Sequence, residues 1–532
     1  MTIKRVVLVV LMTGLVSCTS ETSERDLQRA TRMSLTQGDV IGVPSPYDEE
    51  ITVYRGLPYA APPVGELRWQ PPQTPDSWPG VRIADTFADS CFQLRHTSNF
   101  VWRRGDFPVS EDCLYLNVWA PENAEGLPVM VWFHGGSHVS GQAHSLIFDG
   151  TTLAQQGVIV VTVNYRLGPF GFLAHPWLSE AAETGASGNY GLMDKVAALG
   201  WVRDNISALG GDPSNVTIFG QSAGSQSVCL LMASPSAQGL FNKAIGQSAG
   251  CVNPLTMADA NGHLRGSALV ESLGAQSLRE LRSVEPDELL SAMVESDWEA
   301  GSRIVIDGNV LREWPSKTYA EGRQAKVPLM LGFLANEGEQ LIPVDESVDD
   351  AGLDTFLTFI AGNAADELKA QYSAENMTPG QLRHAISTDI YMAFGMQRWA
   401  EYHSLADQAT YFYFMDHAPP AFHLYMPEQP YLELEGGSRS RGAYHSADLA
   451  LVFGSLDRVG YDWNDADRIV SEQMIEYWTN FAKTGDPNAE DSAEWTPFNR
   501  ENLSTRVINP RPTTVAGVRR RILELIAGRQ PL

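Results

Sequence analysis

The sequence predicts an α/β fold with a large central, mostly parallel sheet that is covered by helices on both faces. Short runs rich in β-branched residues recur along the chain, and longer segments with helical spacing separate them. Several of the runs are apolar at nearly every position, as in strands that are buried on both faces. Alternation of such strands with helices is typical of α/β proteins.

The predicted strands follow one another from the first third of the chain onward. They are the runs PVMVWF (128–133), VIVVTVNY (158–165), NVTIFG (215–220), KAIGQS (243–248), VPLMLGF (327–333) and ATYFYFM (409–415). Residues 193–209 form the clearest helical pattern, with apolar side chains at Val196, Leu199, Val202, Ile206 and Leu209. A length of 532 residues would suggest three or four domains at about 150 residues each, but no internal repeat, low-complexity segment or Gly/Ser linker follows residue 25.

The charge balance excludes one class of partner. The formal net charge is −26, and it becomes −28 once residues 1–17, which contain Lys4 and Arg5, are removed. Such acidity opposes the neutralisation of phosphates that drives nucleic-acid binding, and it offers no polybasic patch to anionic lipid. We therefore expect no nucleic-acid partner.

The first residues resemble an export signal. A basic pair precedes the apolar run Val6–Met12, which is too short to span about 30 Å of hydrocarbon. The following Leu-Val-Ser-Cys box, ending at Cys18, resembles the lipobox of bacterial lipoproteins. We predict a cleaved signal peptide over 1–17, lipidation of Cys18 and a tether over 18–32. The protein would then be periplasmic or at the outer membrane, touching lipid only through its N-terminus; the alternative is a plain secretory signal and a secreted protein.

The remaining cysteines are Cys91, Cys113, Cys229 and Cys251. None forms a C-x-x-C pair, which argues against zinc and thioredoxin-like sites, and an exported compartment permits disulfides. Cys91 and Cys113 bracket one polar and aromatic loop, and a bond between them would contribute about 3 kcal/mol by loop-closure entropy. Cys229 lies in the apolar run SVCLLM, and we predict that it packs as a small buried hydrophobe.

The pentapeptide Gly-Gln-Ser-Ala-Gly occurs twice, at 220–224 and 246–250. A nucleophilic serine in this motif needs a sharp turn from a strand into a helix. Around Ser222 a strand-like run precedes and a helix-like run follows, whereas Pro254 interrupts any early helix after Ser248. We predict that Ser222 is the nucleophile. Ser248 is then either a hydrogen-bonding neighbour of the site or an ordinary residue at a strand end.

A glycine pair follows the strand-like run that ends at Phe133. With no side chains, Gly135 and Gly136 would let a substrate carbonyl approach their N–H groups, and Ala223 N–H would complete an oxyanion hole. A simple glycine turn is the alternative. The same glycines separate His134 from His138 and rule out the helical face that a metal-binding histidine pair uses. We expect neither a metal nor a cofactor.

Eight segments together resemble the type-B carboxylesterases, the cholinesterase-like branch of the α/β-hydrolases. They are YRGLPYAAPPVGELRW (54–69), SEDCLYLNVWAP (110–121), VWFHGG (131–136), VNYRLGPFGFL (163–173), GNYGLMDKVAALGWVRDNISALGGDPSNVTIFGQSAG (188–224), GLFNKAIGQS (239–248), GAYHSADLALVFG (442–454) and YWTNFAKTGDPN (477–488). Because they extend almost to the C-terminus, the resemblance implies a single α/β-hydrolase domain over 33–532.

The resemblance also implies the partners of Ser222. In the chain order Ser, acid, His, it places the acid at Glu337, with Glu339 as the nearby competitor, and the base at His445. The implied activity is that of a serine carboxylic ester hydrolase, which acts through an acyl-enzyme on small to medium esters. A further implication is an ion pair between Arg55 and Glu111.

The substrate pocket leaves alternatives open. Cholinesterases have a glutamate where this chain has Gln221, and a tryptophan that binds quaternary ammonium where Trp102 lies one residue displaced; Trp102 could equally anchor its loop. In relatives the acyl pocket includes the segment in which Trp298 is the only aromatic residue. A cholinesterase-like or lipase-like esterase is therefore an alternative, as is a non-catalytic adhesion module of the same fold. One position departs from the family pattern: Lys195 stands where the type-B carboxylesterases usually have glutamine.

Overall fold

The computed structural model describes residues 32–94, 107–252, 262–296, 298, 303–338, 344–372, 377–424, 432, 434–489 and 494–528. Its strands, in chain order, are β1 Arg32–Leu35, β2 Gly38–Ile41, β3 Val43–Ser45, β4 Asp48–Pro58, β5 Val81–Ile83, β6 Ser90–Cys91, β7 Val109–Ser110, β8 Tyr115–Pro121, β9 Leu127–Phe133, β10 Ile159–Val163, β11 Gly211–Gln221, β12 Lys243–Gln247, β13 Leu329–Leu334, β14 Thr410–Met415, β15 Ser504–Ile508 and β16 Thr513–Ala516.

The α-helices of the same residues are α1 Thr151–Ala154, α2 Gly168–Phe172, α3 Pro176–Ala181, α4 Tyr190–Asn205, α5 Ala223–Ala233, α6 His263–Ser272, α7 Leu278–Arg282, α8 Pro286–Glu295, α9 Pro315–Ala320, α10 Asp350–Ala361, α11 Ala365–Ala370, α12 Pro379–Thr388, α13 Phe394–His403, α14 Leu449–Val452, α15 Asp465–Thr484 and α16 Arg520–Ala527. A π-helical turn, Asp389–Ala393, joins α12 to α13.

The main sheet has eleven strands in the order β16-β15-β14-β13-β12-β11-β9-β10-β8-β4-β3. The block from β15 to β10 is parallel throughout, and antiparallel strands extend it at both edges. Each of the six strand-like runs forms one strand of the parallel block, and α4 covers the predicted helical segment. The predicted α/β class is therefore confirmed.

Burial of both sheet faces explains why these runs are so uniformly apolar. On β9 the side chains alternate between two core clusters, with Val131 and Phe133 in the larger cluster and Met130 and Trp132 in the smaller. This is the period of two that a strand imposes. Every residue of β10, β12 and β13 is buried. The sheet thus forms a rigid platform between two cores.

The described residues contain two disulfides, and one of them corrects the sequence prediction. Cys91 and Cys113 are bonded as expected, but Cys229 is bonded to Cys251 rather than packing as a free thiol. The apolar run around Cys229 belongs to α5, which packs against β12. The fold of the chain, and not the apolar sequence around Cys229, therefore places Cys251 next to Cys229.

The predicted ion pair between Arg55 and Glu111 is wrong. Glu111 accepts from Arg68 Nε at 2.7 Å and from a second guanidinium nitrogen, and both side chains are nearly buried. Arg55 donates instead to the Asp85 carbonyl at 3.0 Å. An arginine does connect the N-terminal segment to the first disulfide loop, but it is Arg68 and not Arg55. Among the described residues, no helix has the length and apolarity needed to cross a bilayer.

Candidate active site

Ser222 lies between the last residue of β11 and the first residue of α5. Its φ is 56° and its ψ is −127°, a conformation that is strained for a residue with a side chain. The turn needs glycine on its far side: a Cβ on Gly224 would lie 1.9 Å from the Phe133 carbonyl oxygen. The predicted nucleophile therefore occupies a sharp strand-to-helix turn, with the positive end of the α5 dipole directly behind it.

The predicted oxyanion glycines lie against this turn. A Cβ on Gly135 would be 2.9 Å from the Gln221 carbonyl oxygen and 3.1 Å from the Ser222 Cβ. Gly136 has a φ of 110°, which side chains rarely adopt. The absence of side chains thus lets the main chain after β9 approach the serine closely.

Glu337 and His445 form a buried pair. The Nδ1–H of His445 donates to Glu337 Oε2 at 2.6 Å, and Leu334 N–H donates to the other carboxylate oxygen at 2.5 Å. Glu337 is fully buried and His445 is 3 % exposed. A carboxylate in this place selects the imidazole tautomer whose Nε2 carries a lone pair. The competitor Glu339 lies outside the described residues.

The loops that carry this pair are bonded to each other. Asn336 N–H donates to the Ala443 carbonyl at 3.0 Å, and the Asn336 side-chain oxygen accepts from Ala443 N–H at 3.1 Å. After Glu337, the Gly338 N–H donates to the Thr388 hydroxyl at 2.8 Å. The acid and the base are therefore positioned by main-chain hydrogen bonds as well as by their own contact.

Gln221 connects this pair to the serine turn. Its side-chain amide lies 3.2 Å from His445 Nε2. Because Nδ1 already donates to Glu337, Nε2 is the acceptor, and the Gln221 amide donates to it. The residue immediately before Ser222 therefore holds the reactive nitrogen of the histidine with an uncharged group.

Sequence reasoning missed a second buried carboxylate near the pair. Asp448, three residues after His445, accepts from the Gln247 amide at 2.6 Å, and Trp478 donates to the Gln247 oxygen at 3.1 Å. Burial raises the pKa of Asp448 to about 6; the hydrogen bond from Gln247 opposes this rise and the Glu337 carboxylate adds to it. Its signal in the sequence was the second pentapeptide, which supplies Gln247.

The other predicted pocket residues are Trp102 and Trp298. Trp298 is buried within the larger core cluster, while Trp102 and Cys18 lie outside the described residues. Ser248 is fully buried, and its hydroxyl has no hydrogen-bond partner among the described residues. Of the two interpretations of Ser248, the structure favours the ordinary residue at a strand end.

A parallel sheet that presents a serine on a strand-to-helix turn, beside a glycine pair and a histidine–carboxylate pair, defines an α/β-hydrolase. Comparisons with known proteins narrow this class. Residues 29–522 match the model of the carboxylesterase family. The chain belongs to that family, and it is a carboxylic ester hydrolase.

Named relatives cover most of the chain. Para-nitrobenzyl esterase of Bacillus subtilis is 34% identical over 86% of this chain and 91% of its own length. Fumonisin B1 esterase of Sphingopyxis macrogoltabida is 32% identical over 90% of this chain and 86% of its own. A solved structure of PNB esterase, 32% identical, superposes with a TM-score of 0.80 over 93% of this chain and 99% of that one.

Proposed function

We propose that this protein hydrolyses small to medium, uncharged carboxylic esters through an acyl-enzyme on Ser222. The observation that supports this best is the buried hydrogen bond from His445 Nδ1 to Glu337 at 2.6 Å, with the opposite nitrogen of the imidazole facing Gln221. Such a pair leaves Nε2 of the imidazole as a base in contact with the residue that precedes the strained serine, and acyl transfer needs a base that can reach the nucleophile.

The first step forms the bond between Ser222 and the acyl group. His445 Nε2 accepts the serine proton while Oγ attacks the ester carbonyl, and the Gln221 amide gives up its place on Nε2 to the serine hydroxyl. Glu337 holds the tautomer and stabilises the imidazolium that results. His445 then protonates the leaving alcohol, and water cleaves the acyl-enzyme by the same sequence.

Main-chain donors stabilise the charge that develops on the carbonyl oxygen. In this proposal they are the N–H groups of Gly135, Gly136 and Ala223. Losing one such donor typically costs about 2.7–4 kcal/mol of transition-state stabilisation. Ala223 N–H is the first amide of α5, so the helix dipole favours the same negative charge. The mechanism requires no cofactor.

The preference for uncharged esters is supported by Gln221. A carboxylate beside the nucleophile would attract a cationic alcohol group, and an amide does not. Relatives named para-nitrobenzyl esterase and fumonisin B1 esterase support hydrolysis of carboxylic esters. Choline esters and long-chain glyceryl esters are the alternative substrates, and each distinguishes this proposal from a cholinesterase-like or lipase-like activity.

A substrate panel combined with covalent labelling tests the proposal. We expect the purified mature protein to cleave para-nitrophenyl acetate and butyrate at least 10-fold faster, by kcat/KM, than acetylthiocholine or a long-chain triglyceride; a factor of 10 corresponds to about 1.4 kcal/mol. A fluorophosphonate should label one serine, which peptide mass spectrometry locates at 222. Preferred cleavage of the choline ester would contradict the proposed substrate class, and a label elsewhere would contradict the assigned nucleophile.

We also propose that the chain is exported and lipidated at Cys18. Two disulfides support an oxidising compartment, and the lipobox-like sequence supports the modification. The intact mass of the mature protein, isolated from membranes of a bacterial host, should equal residues 18–532 plus a lipid. An unmodified mass would leave only the plain secretory signal.

A further inference from the structure

Lys195 is a lysine of α4 with no exposed surface, and lysine is almost never fully buried unless it is paired. Its Nζ donates to the Gly191 carbonyl at 3.2 Å and lies 3.0 Å from the centroid of the Tyr165 ring. The adjacent carboxylate, Asp194, accepts hydrogen bonds from three donors of Arg166, which are its main-chain N–H, Nε and Nη2. The face of Tyr165 is therefore the main contact of this amine.

Tyr165 connects the amine to the loop that follows β9. Its ring stacks on the His134 imidazole, with centroids 4.4 Å apart and planes inclined by 18°. A stacked ring at that distance leaves no space on the same face for an amine 3.0 Å from the centroid, so Lys195 and His134 hold opposite faces of Tyr165. The Tyr165 hydroxyl donates to the His134 carbonyl oxygen at 2.7 Å.

That carbonyl belongs to the same peptide unit as the Gly135 N–H. Because a peptide unit is planar, the hydrogen bond from Tyr165 also sets the direction of the N–H. Hydrogen bonds polarise one another in a chain, so the same bond strengthens Gly135 as a donor. The next unit is held in a similar way, since His134 Nδ1–H donates to the Gly135 carbonyl at 2.8 Å and so orients Gly136.

We propose that Lys195 is a positioning residue for the oxyanion hole and that it acts through Tyr165. The amine holds the ring from the side opposite His134, the ring presents its hydroxyl to the His134 carbonyl, and the peptide unit aims the Gly135 N–H at the reacting carbonyl oxygen. The inference rests on the proposed function, because it takes Gly135 as a donor to the tetrahedral oxyanion.

The role does not depend on the charge of the amine. Burial lowers the pKa of Lys195 well below its usual value, and Asp194 offsets part of this effect. Both the ammonium and the neutral amine present N–H groups to the negative face of an aromatic ring. The contact therefore persists through deprotonation, although it is stronger in the charged form.

A double-mutant cycle tests the proposal. Lys195→Met keeps the apolar stem and removes the amine, Tyr165→Phe keeps the ring and removes the hydroxyl, and the double variant combines them. Lys326→Met, at an exposed lysine, is the matched control. For each protein, kcat and KM with para-nitrophenyl acetate are expressed per serine titrated by a fluorophosphonate. The inhibition constant of a trifluoromethyl ketone, which forms a tetrahedral adduct, is measured alongside the melting temperature.

We expect Tyr165→Phe to lower kcat about 10-fold and Lys195→Met about 5-fold, less than the roughly 10²–10³ lost when a donor is deleted outright. KM should stay within about 2-fold, and the ketone should bind more weakly in proportion to the loss of kcat/KM, as for a contact made in the transition state. In the Tyr165→Phe background, Lys195→Met should change kcat by less than about 2-fold, because coupled residues are not additive.

Two outcomes would overturn the inference. One is a Lys195→Met protein with a lower melting temperature but unchanged kcat and ketone affinity, which shows a purely structural residue. The other is an equal loss of kcat in both backgrounds, which shows that Lys195 does not act through Tyr165. If Lys195→Met does not fold, Lys195→Gln takes its place with the same criteria. Either outcome leaves the proposed hydrolase intact, since that proposal depends on labelling of Ser222.

Discussion

The two copies of Gly-Gln-Ser-Ala-Gly lie side by side at the ends of adjacent parallel strands, in register, with Gly220 opposite Gly246. Both serines have a positive φ, 56° at Ser222 and 63° at Ser248. The first copy continues into the eleven-residue helix α5, whereas no helix occurs between 248 and 252. The two copies thus share a sequence and a strained serine, and the proposed nucleophile Ser222 is distinguished by the helix that follows it and by the contact of Gln221 with His445.

The glutamines of the two copies also differ, because they bind different residues of the histidine loop. Gln221 donates to His445, and Gln247 donates to Asp448, so one loop supplies both partners. Ser222 is partly exposed, whereas Ser248 is fully buried. The serine of the first copy is therefore accessible to solvent, and the second copy anchors the loop that carries the histidine.

The second copy also supports the first directly. Ser222 N–H donates to the Gln247 carbonyl at 2.9 Å, Ser225 donates to the Ala249 carbonyl at 2.6 Å, and a disulfide joins α5 to Cys251. The second copy therefore supports the turn that carries the proposed nucleophile.

The sharpest test of the different roles of the two copies replaces each serine by alanine. Ser222→Ala should lower kcat on para-nitrophenyl acetate by about 10⁴-fold or more, as for the loss of a triad member. Ser248→Ala removes a buried hydroxyl that has no partner among the described residues, so we expect kcat within about 3-fold of wild type. Comparable losses in the two variants would mean that the second serine takes part in the chemistry.

Alanine substitution of the final glycine in each copy should lower the free energy of unfolding by different amounts. In Gly224→Ala the new Cβ would lie 1.9 Å from the Phe133 carbonyl oxygen, whereas in Gly250→Ala the nearest atom, the Gly395 carbonyl oxygen, is at 3.0 Å. We expect Gly224→Ala to lower the free energy of unfolding by about 3 kcal/mol or more, well above the roughly 1 kcal/mol that alanine gains in a helix. Gly250→Ala should lower it by about 1 kcal/mol or less. Urea unfolding measures both, and equal midpoints would contradict the difference in packing.

The pH dependence of stability tests the anchoring role of the second copy. The pKa of Asp448 is raised from 3.8 to about 6 in the folded protein, so between these values the folded state binds more protons and the free energy of unfolding falls as the pH rises. At about 1.36 kcal/mol per unit, the loss is about 3 kcal/mol. Asp448→Asn lacks this loss, so its stability relative to wild type should increase by about that amount from pH 4 to 7.

The exposed Asp76 provides the control for that experiment. Asp76→Asn should differ from wild type by an amount that stays constant from pH 4 to 7, because Asp76 is exposed in the folded protein and unfolding does not move its carboxyl from a buried site into water. Urea unfolding at four pH values gives the free energies. If the free energy of unfolding of Asp448→Asn relative to wild type were also constant from pH 4 to 7, the buried carboxyl would not keep its proton in the folded state.

Residues whose roles depend on their own chain neighbours were predictable. The strand-like runs, the glycine pair at 135–136 and the choice of Ser222 all rested on local patterns, and the structure has the expected strand, turn and helix there. The Arg68–Glu111 pair, the Cys229–Cys251 bond and the Asp448–Gln247 contact join segments that are far apart in sequence or compete with a plausible alternative. Local composition cannot decide such pairings, because several partners have suitable chemistry.

The amino-acid sequence by itself determined the alternation of strands and helices, because apolar periodicity is set by how each segment buries its faces. It also determined the sharp turn at Ser222, because only glycines around the serine permit that backbone. The tertiary structure alone decided how the second pentapeptide is used, which is to hold the loop that carries the histidine through the contact of Gln247 with Asp448. That contact depends on strand order and on the distance between loops, and these arise only when the whole sheet is assembled.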